Sequence, residues 1–171
     1  MSSNASKPVD VFPDRRDTPR KRVLLSGVVA DADGQNPVDT TIRDLTAKGA
    51  QVELPKTIAR DSELYLVDTR NEVAHLATVA WSNSYRAGVS FVRSYSLELT
   101  LPPTLEFLGK LLIEAKLRQV RALMQRGVPV EEATRIVGVT ENYLERFAAL
   151  GRFDDRVGLL LHQARRLFSA A

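Results

Sequence analysis

The sequence predicts an α+β protein, a strand-rich half closing as a small antiparallel barrel or sandwich and a helical half after it. Three observations carry that expectation. Between residues 22 and 93, short runs of branched and aromatic residues are separated by Gly, Asp, Asn and Pro turns. From residue 104 onward, apolar residues recur every third or fourth position, the period of a helix with a covered face. Between the two, residues 94–103 read as a linker that ends in a Pro-Pro stop.

Residues 1–13 are polar and read as a flexible tail. The strand-rich half takes residues 14–93. Its first strand, RVLLSGVVA, is rich in β-branched residues and stops at the turn-like DADGQNP. VDTTIRDL alternates, with Val38, Thr40 and Ile42 on one side and Asp39, Thr41 and Arg43 on the other. GAQVELP follows, starting at a glycine and ending at Pro55, and SELYLVD, VAHLATVAW and AGVSFV complete the set. The helical half, residues 104–171, opens with TLEFLGKLLIEAKLRQVRALMQRG. Its apolar residues fall on two adjacent stripes, at 105, 108, 112, 115 and at 113, 117, 120, 124. Gly127 ends this helix. Pro129 suits the first turn of a second helix, with Glu131 and Glu132 near its positive end and Gly138 as its stop. Thr140 caps a third helix over ENYLERFAAL, and Asp154 or Asp155 caps a fourth over DRVGLLLHQARRLFSA.

Composition narrows the function. Hydrophobic residues make up 44% of the 171, enough for a packed core. There is no cysteine, which excludes disulfides and thiolate metal sites. His75 and His162 stand apart without the spacing of a ligand set. No nucleophile–base pair or phosphate-cradling glycine loop is evident, so a non-enzymatic protein without metal or cofactor is expected. The net charge is +3, and the excess lies in residues 104–171, with 11 Lys and Arg against 8 Asp and Glu. That bias is too mild to imply a polyanion partner. No apolar run reaches the ~20 residues that span a bilayer, so no transmembrane segment is expected. The N-terminus also lacks the apolar core of a signal peptide, and a cytoplasmic protein is expected.

Two short motifs carry the candidate chemistry. DRRDTPRKR, residues 14–22, sets four arginines and a lysine around Thr18-Pro19, just ahead of the first strand. Such a run serves as a solvated tail, a nucleic-acid arm or a phosphate clamp, and Arg16-x-x-x-Arg20 alone reads as the first. DLTAKG, Asp44 to Gly49, lies between two strands. The Asp44 carboxylate accepts hydrogen bonds, the Thr46 hydroxyl donates and accepts, and Gly49 permits a backbone turn that other residues resist. Taken alone, this motif reads as an ordinary turn.

In this order the two motifs resemble the PilZ domain, a six-stranded β-barrel that binds cyclic di-GMP. That family's pattern is RxxxR just ahead of the first strand, then [D/N]xSxxG after the second. The chain has RRDTPRKRV and then DLTAKG, and its W…AGVSFV is similar to the family's last two strands. The resemblance covers about residues 14–93 and leaves out the helical half. It departs at Thr46, where the family usually has Ser; the hydroxyl is kept and one methyl is added, which bears on ligand affinity rather than on the fold. The resemblance implies that Arg16 and Arg20 clamp the ligand, that Asp44, Thr46 and Gly49 form a second wall, and that Arg15 adds a contact. Lys21 and Arg22 are accessory candidates. Trp81, the only tryptophan, reads first as a packing residue of the barrel and second as a neighbour of the ligand. The chemistry agrees with these roles. Guanine O6 and N7 suit an arginine fork, phosphodiesters take charge-assisted bonds, and the N1 and N2 edge donates to a carboxylate.

The implied function is a cyclic di-GMP receptor that relays binding to its helical half, where a protein partner or self-association is expected. The alternative is a cyclic di-GMP-responsive DNA-binding regulator. Residues 128–150 have the look of a helix-turn-helix, with Gly138 at the turn and Ile136, Val139, Leu144 and Phe147 spaced to pack two helices. DNA is disfavoured as a partner because the would-be recognition helix presents Glu141 and Glu145 to phosphates. The second apolar stripe of the first long helix asks for cover, by the other helices or by another chain. Arg118, Arg121, Arg126, Arg165 and Arg166 suit an acidic partner, a lipid surface or a solvated face.

Overall fold

The structure, a computed structural model, describes residues 21–98, 100–140 and 143–145, together with positions 162 and 166. Six strands come first: β1 (Lys21–Asp31), β2 (Val38–Leu45), β3 (Gly49–Glu53), β4 (Glu63–Asp68), β5 (Val73–Ser82) and β6 (Arg86–Ser96). They form a closed barrel in the order β1-β2-β3-β6-β5-β4, every pair antiparallel. A barrel, not a sandwich, is thus the form taken. Closure rests on two ladders between strands distant in sequence, β1 with β4 and β3 with β6. β6 runs to Ser96, into the stretch expected as linker, because Ser94, Tyr95 and Ser96 pair with His75, Ala74 and Val73. Leu97 is then buried, and its N–H donates to the Glu72 carbonyl. A short 3-10 turn at Pro103–Leu105 leads into α1 (Glu106–Gln125), followed by α2 (Val130–Val137). Gly138 ends α2 in the left-handed conformation. The Tyr143 N–H donates to Thr140 Oγ1 at 3.2 Å, so Thr140 caps the helical turn at 143–145. The rest of the third helix, Phe147 included, and all but positions 162 and 166 of the fourth lie outside the described residues.

Two apolar cores explain the strand sequences. Val29, Ile42, Val52, Leu64, Leu66 and Val79 fill the barrel interior. Val28, Ala30, Tyr65, Val67 and Ala74 belong to a second core, shared with Leu108, Leu112, Ile113, Leu117 and Leu144 of the helical half. Alternate residues of β1 and β4 thus enter different cores. A strand buried on both faces reads as an unbroken apolar run, which is why SGVVA and LYLV do not alternate. β2 has one wet face and alternates, with Thr40 and Ile42 buried and Asp39 and Arg43 exposed.

Polar contacts fix how the helix sits. The Arg118 guanidinium donates through Nε to Asp39 Oδ2 at 3.2 Å and through Nη2 to Oδ1 at 2.7 Å, a two-point clamp of α1 on β2. Arg118 is therefore a tether and not an open cation for a partner. Lys116, only 3% exposed, pairs with Glu72 of the β4–β5 turn, and its ammonium lies 4.7 Å from the centre of the Tyr143 ring. Gln119 Nε2 donates to Thr69 Oγ1 at 3.1 Å. The helix-turn-helix packing differs from expectation in one respect. Val139 and Leu144 are buried, but Ile136 is 59% exposed, because α2 turns Ala133 and Thr134 inward instead.

Leu112 is fully buried where barrel and helices meet. Leu112→Ala should lower stability by about 2–5 kcal/mol in a urea titration. One shared core further predicts a single transition, seen alike by probes of strand and helix. A second expectation concerns pH. His75 stacks on Phe91 with ring centroids 3.9 Å apart, and its Nδ1 lies 2.7 Å from Ser94 Oγ. Burial holds its imidazole below the ordinary value of 6.5, with Asp68 opposing. The unfolded chain takes up the proton first, so this contribution is complete above pH 6.5 and is lost as pH falls through the lower folded value. The Tm should decline from about pH 7.5 to about pH 5, and His75→Phe, which keeps a ring on Phe91, should flatten that decline.

Candidate functional site

The DLTAKG turn is closed from within. The Thr46 N–H donates to the Gly49 carbonyl at 2.9 Å. Thr46 Oγ1 accepts from the N–H groups of Lys48 at 3.1 Å and Gly49 at 3.0 Å, and lies 3.2 Å from the Gly49 carbonyl oxygen to which it donates. A hydroxyl has one donor and two acceptor sites, so the turn uses all that Thr46 offers. Here the residue shapes the turn. Gly49 is required for a different reason from the one expected. Its backbone is not in the left-handed region, but a Cβ there would lie 2.3 Å from the Val89 carbonyl oxygen, so β3 closes on β6 only without a side chain.

Asp44, near the end of β2, is half-buried and stands in register with Arg22 of β1 and Gln51 of β3. No hydrogen bond or ion pair occupies its carboxylate among the described residues. Trp81, expected first as a packing residue of the barrel, does pack on the barrel, but on its outside. A bulge between Val79 and Trp81 turns it to the outer wall, where it is 40% exposed and lies over Gly88.

These residues converge. Asp44, Thr46, Gly49 and Trp81, with Lys48 and Gln51, line one cavity of about 260 Å³ on the outside of the barrel. Larger crevices of about 660 and 900 Å³ lie between barrel and helices, but none of the motif residues lines them. Among the described residues, Lys48 and Asp44 are the only charged side chains lining the smaller cavity, so the described part of its wall carries no net positive charge. Arg43 and Arg86, which do not line that cavity, are engaged elsewhere. Arg43 donates to Glu53 through Nε at 2.9 Å and Nη2 at 3.0 Å, and Arg86 Nη2 lies 3.4 Å from the same carboxylate. The Arg43 hydrogen bond holds that carboxyl below its usual 4.5. Arg22 is exposed at the entry to β1. Arg15, Arg16 and Arg20, and the side chain of Lys21, lie outside the described residues. Sequence reasoning missed Lys48, Gln51 and Gly88. The period of two along β3 puts Gln51 on the same face as Gly49 and was the available signal for it.

The model of one family, the PilZ domain, matches residues 14–101, just over half of the chain. The chain belongs to the PilZ domain family. PilZ domains bind cyclic di-GMP and are generally non-enzymatic, which supports a receptor role. The match takes in both motifs and all six strands and stops short of α1. Among solved structures, the PilZ domain of CeSA from a cellulose-synthesizing bacterium is similar at 19% identity with a TM-score of 0.38, over 57% of this chain and 94% of that one. No curated protein matches. Among the described residues, no helix is long and apolar enough to cross a membrane.

Thr46→Val would leave the amides of Lys48 and Gly49 without their acceptor. Urea unfolding should register a loss of about 1–3 kcal/mol. Thr46→Ser keeps the hydroxyl and should stay within about 0.5 kcal/mol of the parent. Equal losses in both would mean that the turn does not depend on the hydroxyl.

Proposed function

We propose that the protein is a cyclic di-GMP receptor whose arginine arm closes over the Asp44 cavity and whose helical half reads the position of that arm. The observation that carries this reading is the incompleteness of the cavity. Its described lining offers a carboxylate for a guanine edge and one lysine, less positive charge than two phosphodiesters need. The missing charge is within reach. Arg22 stands opposite Asp44, Arg20 is two residues away along the chain, and Arg16 four further on, at most ~20 Å of extended backbone.

In this reading Arg16 and Arg20 hold the phosphodiesters and the O6/N7 edge, and Arg15 adds a contact. Lys21 and Arg22 assist at the rim. Asp44 accepts from guanine N1 and N2, Thr46 keeps the turn in shape, and Gly49 lets that wall close. Ordering the arm costs about 1–2 kcal/mol per residue. Charge-assisted bonds of about 1.5–3 kcal/mol each offset it. The arm continues directly into β1, whose outer residues Val28 and Ala30 support the helices. The barrel, which ends with β6 at Ser96, thus serves as receptor and 104–171 as output. The output acts on a protein partner or on a second copy of the chain.

Isothermal titration of cyclic di-GMP tests this. Arg16→Ala and Arg20→Ala should each weaken binding by roughly 30- to 150-fold, or ~2–3 kcal/mol. Absence of saturable heat with the unaltered protein would sink the receptor reading, and full affinity in both variants would remove the arm from it.

A further inference from the structure

We infer that the crevice at the root of β1 is the docking site for a segment of this same chain, residues 9–12, which lies there as an extended run beside β1. The inference does not depend on the receptor reading and adds an intramolecular contact on the helical side of the barrel.

An open strand edge borders the crevice. β1 pairs with β2 from Lys21 to Val29, but with β4 only from Gly27 onward. The last bonds on that second edge come from Thr69, whose N–H and hydroxyl donate to the Ser26 carbonyl at 3.2 and 2.9 Å. Among the described residues, positions 22–25 thus have a strand neighbour on one side alone. Beside this edge a crevice of about 900 Å³ opens between β1, the second half of α1 and the end of α2. Leu24, 69% exposed, lines it with Leu123, Ile136 and Val137. Leu24 and Ile136 are two of the five large apolar side chains exposed on the described surface, and both are in this one crevice. An open edge beside clustered apolar side chains is the setting in which an extended segment adds to a sheet.

The chain itself supplies such a segment. Ahead of β1, outside the described residues, apolar side chains cluster once, in Val9-Asp10-Val11-Phe12 between Pro8 and Pro13. An extended run carries Val9 and Val11 on one face. Proline at both ends suits an edge strand and limits it to four residues, the length of the open edge. The nine residues 13–21 make the return, up to ~30 Å when extended, which lets the run come back antiparallel to β1. The charges agree. Besides the Lys116–Glu72 pair, the crevice carries Arg70 and Arg126 against Glu98. Residues 8–14, PVDVFPD, carry two carboxylates and no cation. The short tether favours this segment over a free one of the same chemistry, because it sets a high effective concentration at the crevice. Residues 14–20 are then a loop held at both ends and not a free tail.

Hydrogen exchange on the full chain, read by mass spectrometry over residues 8–13, tests the docking. The amides of residues 9–12 should exchange on average at least about tenfold more slowly than in an unstructured chain. Leu24→Asp and Ile136→Asp each place a carboxylate at an exposed position outside both cores, and each should return these amides to the unprotected rate. Val11→Asp should do the same from the side of the segment. Val92→Asp, at an exposed apolar residue outside the crevice, should leave the protection in place. Thermal melts verify that each variant is folded, and if Leu24→Asp is not, Ile136→Asp still decides. Unprotected amides in the unaltered protein would overturn the inference, and so would protection that survives both crevice variants. Protection that fades on dilution would place a second copy's segment in the crevice and overturn the contact within one chain.

Discussion

Val28 and Val29 point in opposite directions from one strand, and both are buried. Val29 enters the barrel interior, and Val28 enters the core shared with the helices. The same division runs along β4, where Leu64 and Leu66 face one core and Tyr65 and Val67 the other. This double burial makes the helical half part of the barrel's own stability. Apolar burial of this kind contributes about 25 cal/mol per Å², and the outer face of β1 and β4 has no other cover among the described residues. The tethers Arg118–Asp39 and Lys116–Glu72 then select one seating of α1 on that face. Lys116 is nearly inaccessible, and such a pair contributes more to uniqueness of seating than to net stability.

The candidate site is built on the opposite principle. Its wall is set by close backbone approach, with Gly49 against the Val89 carbonyl and Gly88 under Trp81. The turn between β2 and β3 satisfies its own polar groups through Thr46. The result is a shaped surface whose turn is closed by its own hydrogen bonds and whose described lining carries one lysine against one carboxylate. In the proposed reading the wall supplies shape and the Asp44 carboxylate, and most of the positive charge comes from the arm ahead of β1. Substituting Thr for Ser in the motif leaves this arrangement undisturbed, because the turn needs the hydroxyl and not the bare methylene.

Much of the fold was readable in the sequence, for physical reasons. Turn residues at DADGQNP and around Gly49 bound the strands, and alternation in VDTTIRDL shows its wet face. Gly127, Pro129, Gly138 and Thr140 mark helix ends by backbone conformation and capping, both local properties. What stayed hidden was non-local. The bulge between Val79 and Trp81 shifts the strand phase by one residue, so Trp81, two residues after the buried Val79, packs on the outside of the barrel. The second apolar stripe of α1 asks for cover by other helices or by another chain; α2 takes up part of it, and β1 and β4, which the sequence did not point to, take up more. Lys116 and Ile136 reverse their usual preferences, the lysine buried and the isoleucine exposed, because α2 and the residues around Tyr143 set the environment of both. For the site, the two motifs were visible as patterns, but the reasons for Thr46 and Gly49 lay in distances that only the closed barrel defines.

The chain order gives the double burial of β1 and β4 a consequence in time. A ribosome releases the barrel sequence first, and its ring closes once β6 has emerged to meet β3. The outer residues Val28, Tyr65 and Val67 then face water until α1 has followed. For a chain growing at about 5–20 residues per second, that window lasts seconds. Over that interval the nascent protein, its ring already closed, still displays the apolar wall that its mature form hides, and that wall is open to capture by chaperones or by its own copies.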